Sequence, residues 1–594
     1  MRPWVLILLL AAAVNLNILA NGFVYDDGAN ILNNPYLRGP QFLPKIFTTN
    51  LWGFMGPKGV SNYYRPLTHV MNMGTVAVFG HRPWGYQLVK LLLHLGSCIL
   101  VYRIGRKLYS ERVGFWGGLL FAVHPIHTEA VAWANNDLAF SLLALAAFEL
   151  YISGRDVWAA ALFLPALLTK ETSVMLLPLM AIYQWRRSLW YFSLPLGLYL
   201  ALRINALGGL TMVQNEYVLP VDQQLMSTIF LAGNYVYRLI WPLPFSVYHV
   251  FYPVTTPADP RLWGGLGMLA VAAGIIFWLW RKGSPLWRTG AWIVLPLVPV
   301  LWISRVGDNV FAERYLYLPS VGFCWLLAAA TEPRPSGSGS QQANTAPLRS
   351  RLFIAILLGY SVLTIARNRE WHDDITLYEQ TLRVSLDAYI IRGNLAGAYL
   401  SGGQPEKALP LLEAVTRQRP KRAEARLNLG TALAQLRRFP EARDQFKQAA
   451  DLNPKWAAPW YNMGKVYEDL GDRVQAEQCY RRSLKLGEEP GARENLGVLL
   501  AEQGRLEEAE TEFRAANSPV RLGKLSLMRS DPAAAERYFR QAVKADPNAA
   551  EAWYLLGRLQ QDAGRNGEAE ESFREMRRVL PQSKWKGPPT KPAL

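Results

Sequence analysis

From residue 1 to about 367 the chain is a succession of long apolar runs separated by short polar loops. From about 370 onward it is polar, rich in Ala, Leu, Glu and Arg, and reads as helix throughout. A spanning helix needs about 20 mostly apolar residues. Runs at 4–20, 85–104, 112–132, 138–153, 157–169, 172–185, 189–204, 262–280, 289–304, 315–331 and 351–367 fit or approach that length. They predict about eleven spans, with the shorter ones tilted or merged. The run 225–241 precedes Pro242 and Pro244 and either spans or dips in and returns.

The polar half has its own period. Asn394-Leu395, Asn428-Leu429-Gly430, Asn462-Met463-Gly464 and Asn495-Leu496-Gly497 recur at about 34 residues, the tetratricopeptide interval. Pro420, Pro454, Pro547 and Pro581 close units, and Ala408, Ala442, Ala476, Ala509 and Ala569 supply the small positions of second helices. About six units over 387–584 follow, the fifth shortened near Asn517-Ser518-Pro519. The predicted fold class is therefore all-α: a polytopic helical membrane domain over 1–367, a connector over 368–386, the solenoid, and a disordered tail at 585–594.

Charge orients the membrane half. Sixty-three Lys and Arg against 46 Asp and Glu give a net charge of +17. Much of the excess flanks apolar runs, at Arg103, Arg106 and Lys107, Arg186 and Arg187, Arg281, Lys282 and Arg288, and Arg349 and Arg351. Basic clusters beside spans mark the cytoplasmic side, and no nucleic-acid-binding module accompanies them. The first apolar run resembles a signal peptide, but Ala20-Asn21-Gly22 is a poor cleavage site, so a retained anchor is expected. The amino terminus is then inside, the Pro/Ser/Gly-rich stretch within 332–350 is a cytoplasmic linker, and the repeats are external, in a periplasm or an endoplasmic reticulum lumen. Three cysteines (Cys98, Cys324 and Cys479) form neither a disulfide framework nor a metal spacing.

This topology gathers the chemistry-bearing residues on one face: Asp26 and Asp27 after the first span, Arg65, His127, Glu129, Asp137, Lys170, Glu171 and Arg314. Acid, base and His clusters at one membrane border argue for a shared polar cavity. Cations at the interface suit the phosphate of a lipid carrier whose tail stays in the bilayer, and arginine presents a fork matched to phosphate oxygens. A carboxylate near the anomeric carbon can take the proton of an incoming hydroxyl. The expected roles are Asp26 as general base, with Asp27 holding the acceptor or sharing that role. Arg65, Lys170 and Arg314 take the donor phosphate. His127, Glu129, Asp137 and Glu171 bind sugar hydroxyls or a divalent metal. The plain counterparts are local ion pairs, Lys170 with Glu171 and Glu313 with Arg314, and a His124-Pro125 helix turn.

Taken in order, Tyr25-Asp26-Asp27, Asn34-Pro35, Tyr64-Arg65-Pro66-Leu67, His124-Pro125-Ile126-His127-Thr128-Glu129-Ala130-Val131, Thr169-Lys170-Glu171 and Glu313-Arg314-Tyr315-Leu316-Tyr317-Leu318-Pro319-Ser320 resemble the transmembrane and tetratricopeptide-repeat-containing O-mannosyltransferases and their bacterial relatives. The resemblance covers nearly the whole chain. It implies a C-type glycosyltransferase fold and an inverting transferase that uses a dolichyl- or undecaprenyl-phosphate sugar, usually mannose. It matches Asp26 and Asp27 to the paired acids of that superfamily's first external loop. One departure is Ala134-Asn135-Asn136-Asp137, where a Gly-Arg-Ala-Asp-like turn is expected; the acid is present and the base is not. The repeats are expected to bind an acceptor polypeptide or partner through positions such as Tyr399, Asn428, Tyr461, Asn462 and Tyr554. The alternatives are a non-catalytic membrane scaffold for envelope protein assembly, which needs no such cavity, and a transporter, whose membrane half should repeat internally and does not.

Overall fold

The computed structural model describes residues 2–133, 135–209, 219–301, 310–330, 342–487, 489 and 491–580. Every regular element among them is helical, and the chain divides into two compact units, Met1–Ile391 and Arg392–Leu594.

In the first unit, four helices among the described residues are long and apolar enough to cross a membrane: Pro3–Ala20, Pro83–Leu108, Pro260–Arg281 and Arg351–Glu370. A fifth results if Pro125–Ala132 and Asn136–Ile152 form one bent span. The other expected spans are present in pieces. Asp156–Thr169, Glu171–Tyr183 and Pro319–Ala329 are apolar but short. Proline accounts for much of the fragmentation, because it removes a backbone donor and forces the residue before it out of the helical region. His124, before Pro125, is extended and separates Glu111–Val123 from Pro125–His127, so the expected run 112–132 is two elements. The run 289–304 breaks after Val294 into a short 3-10 turn at Leu295–Leu297 around Pro296, and its end lies outside the described residues.

Two further expectations are modified. Residues 225–240 lie in one unbroken helix, Val221–Ile240, ending ahead of Pro242. The Pro/Ser/Gly-rich stretch 332–340 lies outside the described residues, but helix already begins at Gln342, within the expected linker. Close helix contact in this unit relies on glycine. A Cβ at Gly114 would meet the Arg106 N and the Tyr102 O at 2.6 Å, and one at Gly233 would meet the Gly265 Cα at 2.5 Å. Small residues at such crossings let helix backbones approach, which is how helices associate where burial supplies little drive.

The second unit is a run of antiparallel helix pairs, among them Ala423–Gln435 with Phe439–Leu452, Ala457–Asp469 with Arg473–Leu486, and Ala492–Glu502 with Leu506–Ala515. The shortened stretch has helices Leu506–Ala515 and Pro519–Met528, each of 10 residues. One packing device recurs. In five pairs a glycine of the first helix sits under an aromatic ring of the second: Gly430 under Phe446, Gly464 under Tyr480, Gly497 under Phe513, Gly523 under Phe539 and Gly557 under Phe573. A Cβ would lie between 2.4 and 2.7 Å from the ring in all five. Gly497→Val is therefore expected to destabilise the solenoid by about 1–3 kcal/mol through overpacking. Gly567→Val, at a site with nothing within 4 Å, should change stability far less. Thermal unfolding of the solubilised protein compares the two. Of the expected recognition positions, Tyr399 is buried, whereas Asn428, Tyr461, Asn462 and Tyr554 are partly exposed.

Candidate active site

The site begins where the first apolar helix ends. After the 3-10 turn Leu16–Ala20 the chain extends, then reverses at Tyr25, whose φ of 57° is left-handed. Few non-glycine residues adopt that conformation, and for a bulky side chain it marks a constrained site. The turn presents the next two residues differently. Asp26 is partly exposed; Asp27 is buried, and its Oδ2 accepts the Val24 N–H at 3.2 Å. Burial pushes both carboxyls up to about 6, against the opposing charge of Arg314 at Asp26 and of Lys90 at Asp27. At neutral pH both are still mostly ionised, with about ten carboxylates per carboxylic acid at one unit above the pKa.

Both acids line a cavity of about 170 Å³. Water needs roughly 10–15 Å³ of such space, so the cavity has room for a ligand much larger than one solvent molecule. Arg65, Lys170 and Arg314 line the same cavity, together with the aromatic Tyr63, Trp133 and Tyr315 and the polar Asn30, Thr68, Asn72 and Asn136. All three expected phosphate-binding cations thus share one chamber with both expected catalytic acids.

Each cation is held by a carboxylate. The Arg65 fork donates to Glu171 through Nε at 3.0 Å and Nη2 at 2.7 Å. Lys170 Nζ donates to Asp137 Oδ1. Arg314 donates to Glu129 through its guanidinium and, at 2.9 Å, through its backbone N–H. Aromatic faces complete the seats: Arg65 lies 4.4 Å from the Tyr63 ring centre, Lys170 5.0 Å and Arg314 4.9 Å from that of Tyr315, and Arg314 5.3 Å from Trp133. A cation over an aromatic face is oriented without being neutralised.

This arrangement revises the reading of the remaining candidates. Glu129, Asp137 and Glu171 do not line the main cavity; each stands behind a cation as its counter-charge, and Asp137 borders a small void of about 10 Å³ beyond Lys170. Lys170 pairs with Asp137 and Glu171 with Arg65, so the neighbouring Lys170 and Glu171 are not each other's partners. Glu313 also turns from Arg314: its Oε1 accepts the Ser246 N–H at 2.8 Å and faces His249 Nε2 at 3.3 Å. His127 is away from the cavity. Its Nε2 meets Ser320 Oγ at 2.7 Å, and its ring packs among Phe121, Tyr317 and His94. Among the described residues no three His, Cys, Asp or Glu side chains gather as a cation site.

Two contributors escape a reading by motif. Lys90 lies within the span Pro83–Leu108, donates to the Ala132 carbonyl at 2.6 Å and places its charge near Asp27. A lone lysine within a membrane helix is itself a signal of function. Asp374, beyond the last span, accepts the Tyr25 N–H at 2.7 Å; nothing in its local sequence foretells that partner.

With this geometry, the sequence matches have a physical setting. A family model described as dolichyl-phosphate-mannose-protein mannosyltransferase matches residues 66–206, and one described as tetratricopeptide repeat matches 394–455, 461–521 and 520–583. The protein O-mannosyl-transferase TMTC3 of Homo sapiens is 25% identical over 91% of this chain and 64% of its own length. Tmtc1 of Drosophila melanogaster is 26% identical over 96% of this chain and 82% of its own. The chain therefore spans somewhat less than two thirds of the human relative. Among solved structures, PilW, a type IV pilus biogenesis factor, aligns with 33% of this chain and 96% of its own at 20% identity and a TM-score of 0.29. The motif resemblance is borne out: a mannosyltransferase-type membrane segment and tetratricopeptide repeats stand in one chain, which aligns over most of its length with TMTC protein O-mannosyl-transferases.

Proposed function

We propose that the membrane unit transfers mannose from a polyprenyl phosphate to a hydroxyl of a polypeptide on the non-cytoplasmic side, with the repeats recruiting that polypeptide. The observation that carries this reading is the meeting in one cavity of two carboxylates and three aromatic-seated cations. The reaction needs both kinds of group. As the acceptor oxygen bonds to the anomeric carbon, its proton passes to Asp26. The bond from that carbon to the phosphate oxygen breaks with its electron pair, and the leaving phosphate gains one negative charge. Arg65, Lys170 and Arg314 are fixed in advance where that charge grows, and fixed donors in a partly dry site stabilise it at no cost of reorganisation. Their carboxylate partners keep each cation in place when no phosphate is bound. The sugar, developing positive charge, faces Asp26 and Asp27. A single displacement of this kind inverts the anomeric centre.

The names of the relatives support the mannosyl group and the protein acceptor. The lipid carrier rests on the cations at the membrane border. The test is transfer by purified protein from polyprenyl-phosphate mannose to a peptide library, with polyprenyl-phosphate glucose and the water-soluble nucleotide sugar as competing donors. Mannosylated peptide from the lipid donor alone is expected. Transfer from the nucleotide sugar alone, or from none, would remove the reading, and the last outcome would return the chain to a membrane scaffold.

A further inference from the structure

The acids of the cavity do not stand on a loop held only by its own neighbours. The end of the last apolar helix and the segment that follows it run beside the stretch that leads to them, bond by bond. Asn17 Nδ2 donates to the Ile365 carbonyl at 2.9 Å, and Asn21 Nδ2 to the Asn368 carbonyl at 2.9 Å. Gly22 N–H donates to the His372 carbonyl at 2.9 Å, and Tyr25 N–H to Asp374 Oδ1 at 2.7 Å. The series of bonds advances in the same direction along both stretches of chain and ends one residue before Asp26.

Side chains of the same segment pack against Tyr25 and against Trp133, which lines the cavity. Tyr378 lies edge-on to the Tyr25 ring at 6.3 Å, and Trp371, fully buried, stacks at 6.3 Å and 10° on Trp133. Trp133 in turn packs against Tyr25 at 5.2 Å and lies under the Arg314 guanidinium. The two adjacent acids Asp373 and Asp374 divide their work. Asp373 Oδ1 caps the helix Asp374–Val384 by accepting the Thr376 N–H at 2.8 Å. Asp374 is thereby spared capping and bonds across to Tyr25, 349 residues away in sequence. A left-handed tyrosine persists only where its surroundings over-determine it, and this bond fixes the amide of that very residue.

We propose that Asp374 is a positioning residue for Asp26: its bond to the Tyr25 N–H holds the left-handed turn that presents the Asp26 carboxylate to the cavity. The inference rests on the transferase reading for its kinetic consequence, and on the turn alone for its structural one. Asparagine at 374 keeps the accepting oxygen and loses the charge; alanine loses both. Asp374→Ala is expected to lower kcat for mannosyl transfer about 10- to 100-fold, the scale on which small misplacements of a reacting group act. KM for the lipid donor should stay within about twofold, since the cations are untouched. Asp374→Asn should retain the rate.

Amide hydrogen exchange over residues 23–28 gives a readout that needs no activity: faster exchange in Asp374→Ala, native exchange in Asp374→Asn. A native kcat in Asp374→Ala, an equal loss in Asp374→Asn, or a KM that rises in step with the loss would overturn the assignment. If the alanine variant does not fold, Asp374→Asn against Asp374→Glu decides. The longer side chain shifts the oxygen by a methylene and should lose rate where asparagine does not; equal rates sink the idea. A wild-type protein inactive with every lipid donor would instead fail the transferase reading, and the exchange comparison would still decide the role of Asp374 at the turn.

Discussion

Replacing Asp26 by Asn is expected to lower kcat for mannosyl transfer by about 10²–10⁴-fold, the usual contribution of a positioned general base, with little change in KM for the lipid donor. The side chain keeps its size and its place on the cavity wall, and only the ability to accept a proton is lost. The wild-type pH profile carries the same information in another form. Burial raises the Asp26 carboxyl to about 6, so the proposed base is ionised above that pH and protonated below it. The rate should be flat above about pH 7 and fall about tenfold per unit below 6, and the residual activity of Asp26→Asn should lack that limb. Asp27 is buried to nearly the same pKa, but its Oδ2 is committed to the Val24 N–H and Lys90 faces it. Asp27→Asn should therefore cost less rate than Asp26→Asn. The reverse ranking, in initial rates at saturating acceptor, would exchange the two acids' roles.

The legibility of this molecule in its sequence followed the range of the interactions. The solenoid was readable because each unit is specified locally: an Asn-Leu-Gly triplet, a glycine under the next helix's ring, and a proline at the end recur at a fixed interval. The membrane unit was readable as apolar runs but not as the helices it contains. Pro125 and Pro296 divide runs that hydropathy alone joins, and the helix ending at Glu370 starts at Gln342, in the expected linker. The cavity was half readable. Five residues that line it, Asp26, Asp27, Arg65, Lys170 and Arg314, stood out as charges at predicted span ends. Their wiring did not. Arg65 finds Glu171 across 106 residues and Arg314 finds Glu129 across 185. In each of the pairs Lys170-Glu171 and Glu313-Arg314, sequence proximity suggested a partner that the fold does not use. Lys90 and Asp374 act on the acid turn from elements whose own sequence gives no register against it.

That wiring yields the second large effect. Arg314→Met should fail mainly by misfolding, because Glu129, fully buried, would be left without its counter-charge. Removing one partner of a buried pair costs about 3–5 kcal/mol, so the single variant confounds stability with chemistry. Glu129→Gln combined with Arg314→Met removes both charges and should return most of the folded yield, judged by monodisperse behaviour and thermal unfolding in detergent. It cannot return the activity if Arg314 meets the leaving phosphate. The loss of one charged donor to a developing anion is expected to lower kcat/KM by about 10²–10³-fold. Part of that loss should appear as a raised KM for the lipid donor, whose phosphate already carries charge in the ground state. Arg314→Lys refines the result: the charge remains for Glu129, but the planar fork between Trp133 and Tyr315 is gone, so folding should survive while kcat/KM falls by an intermediate amount. A doubly substituted protein that folds and transfers mannose at the native rate would make the Glu129–Arg314 pair purely structural and leave the phosphate to Arg65 and Lys170.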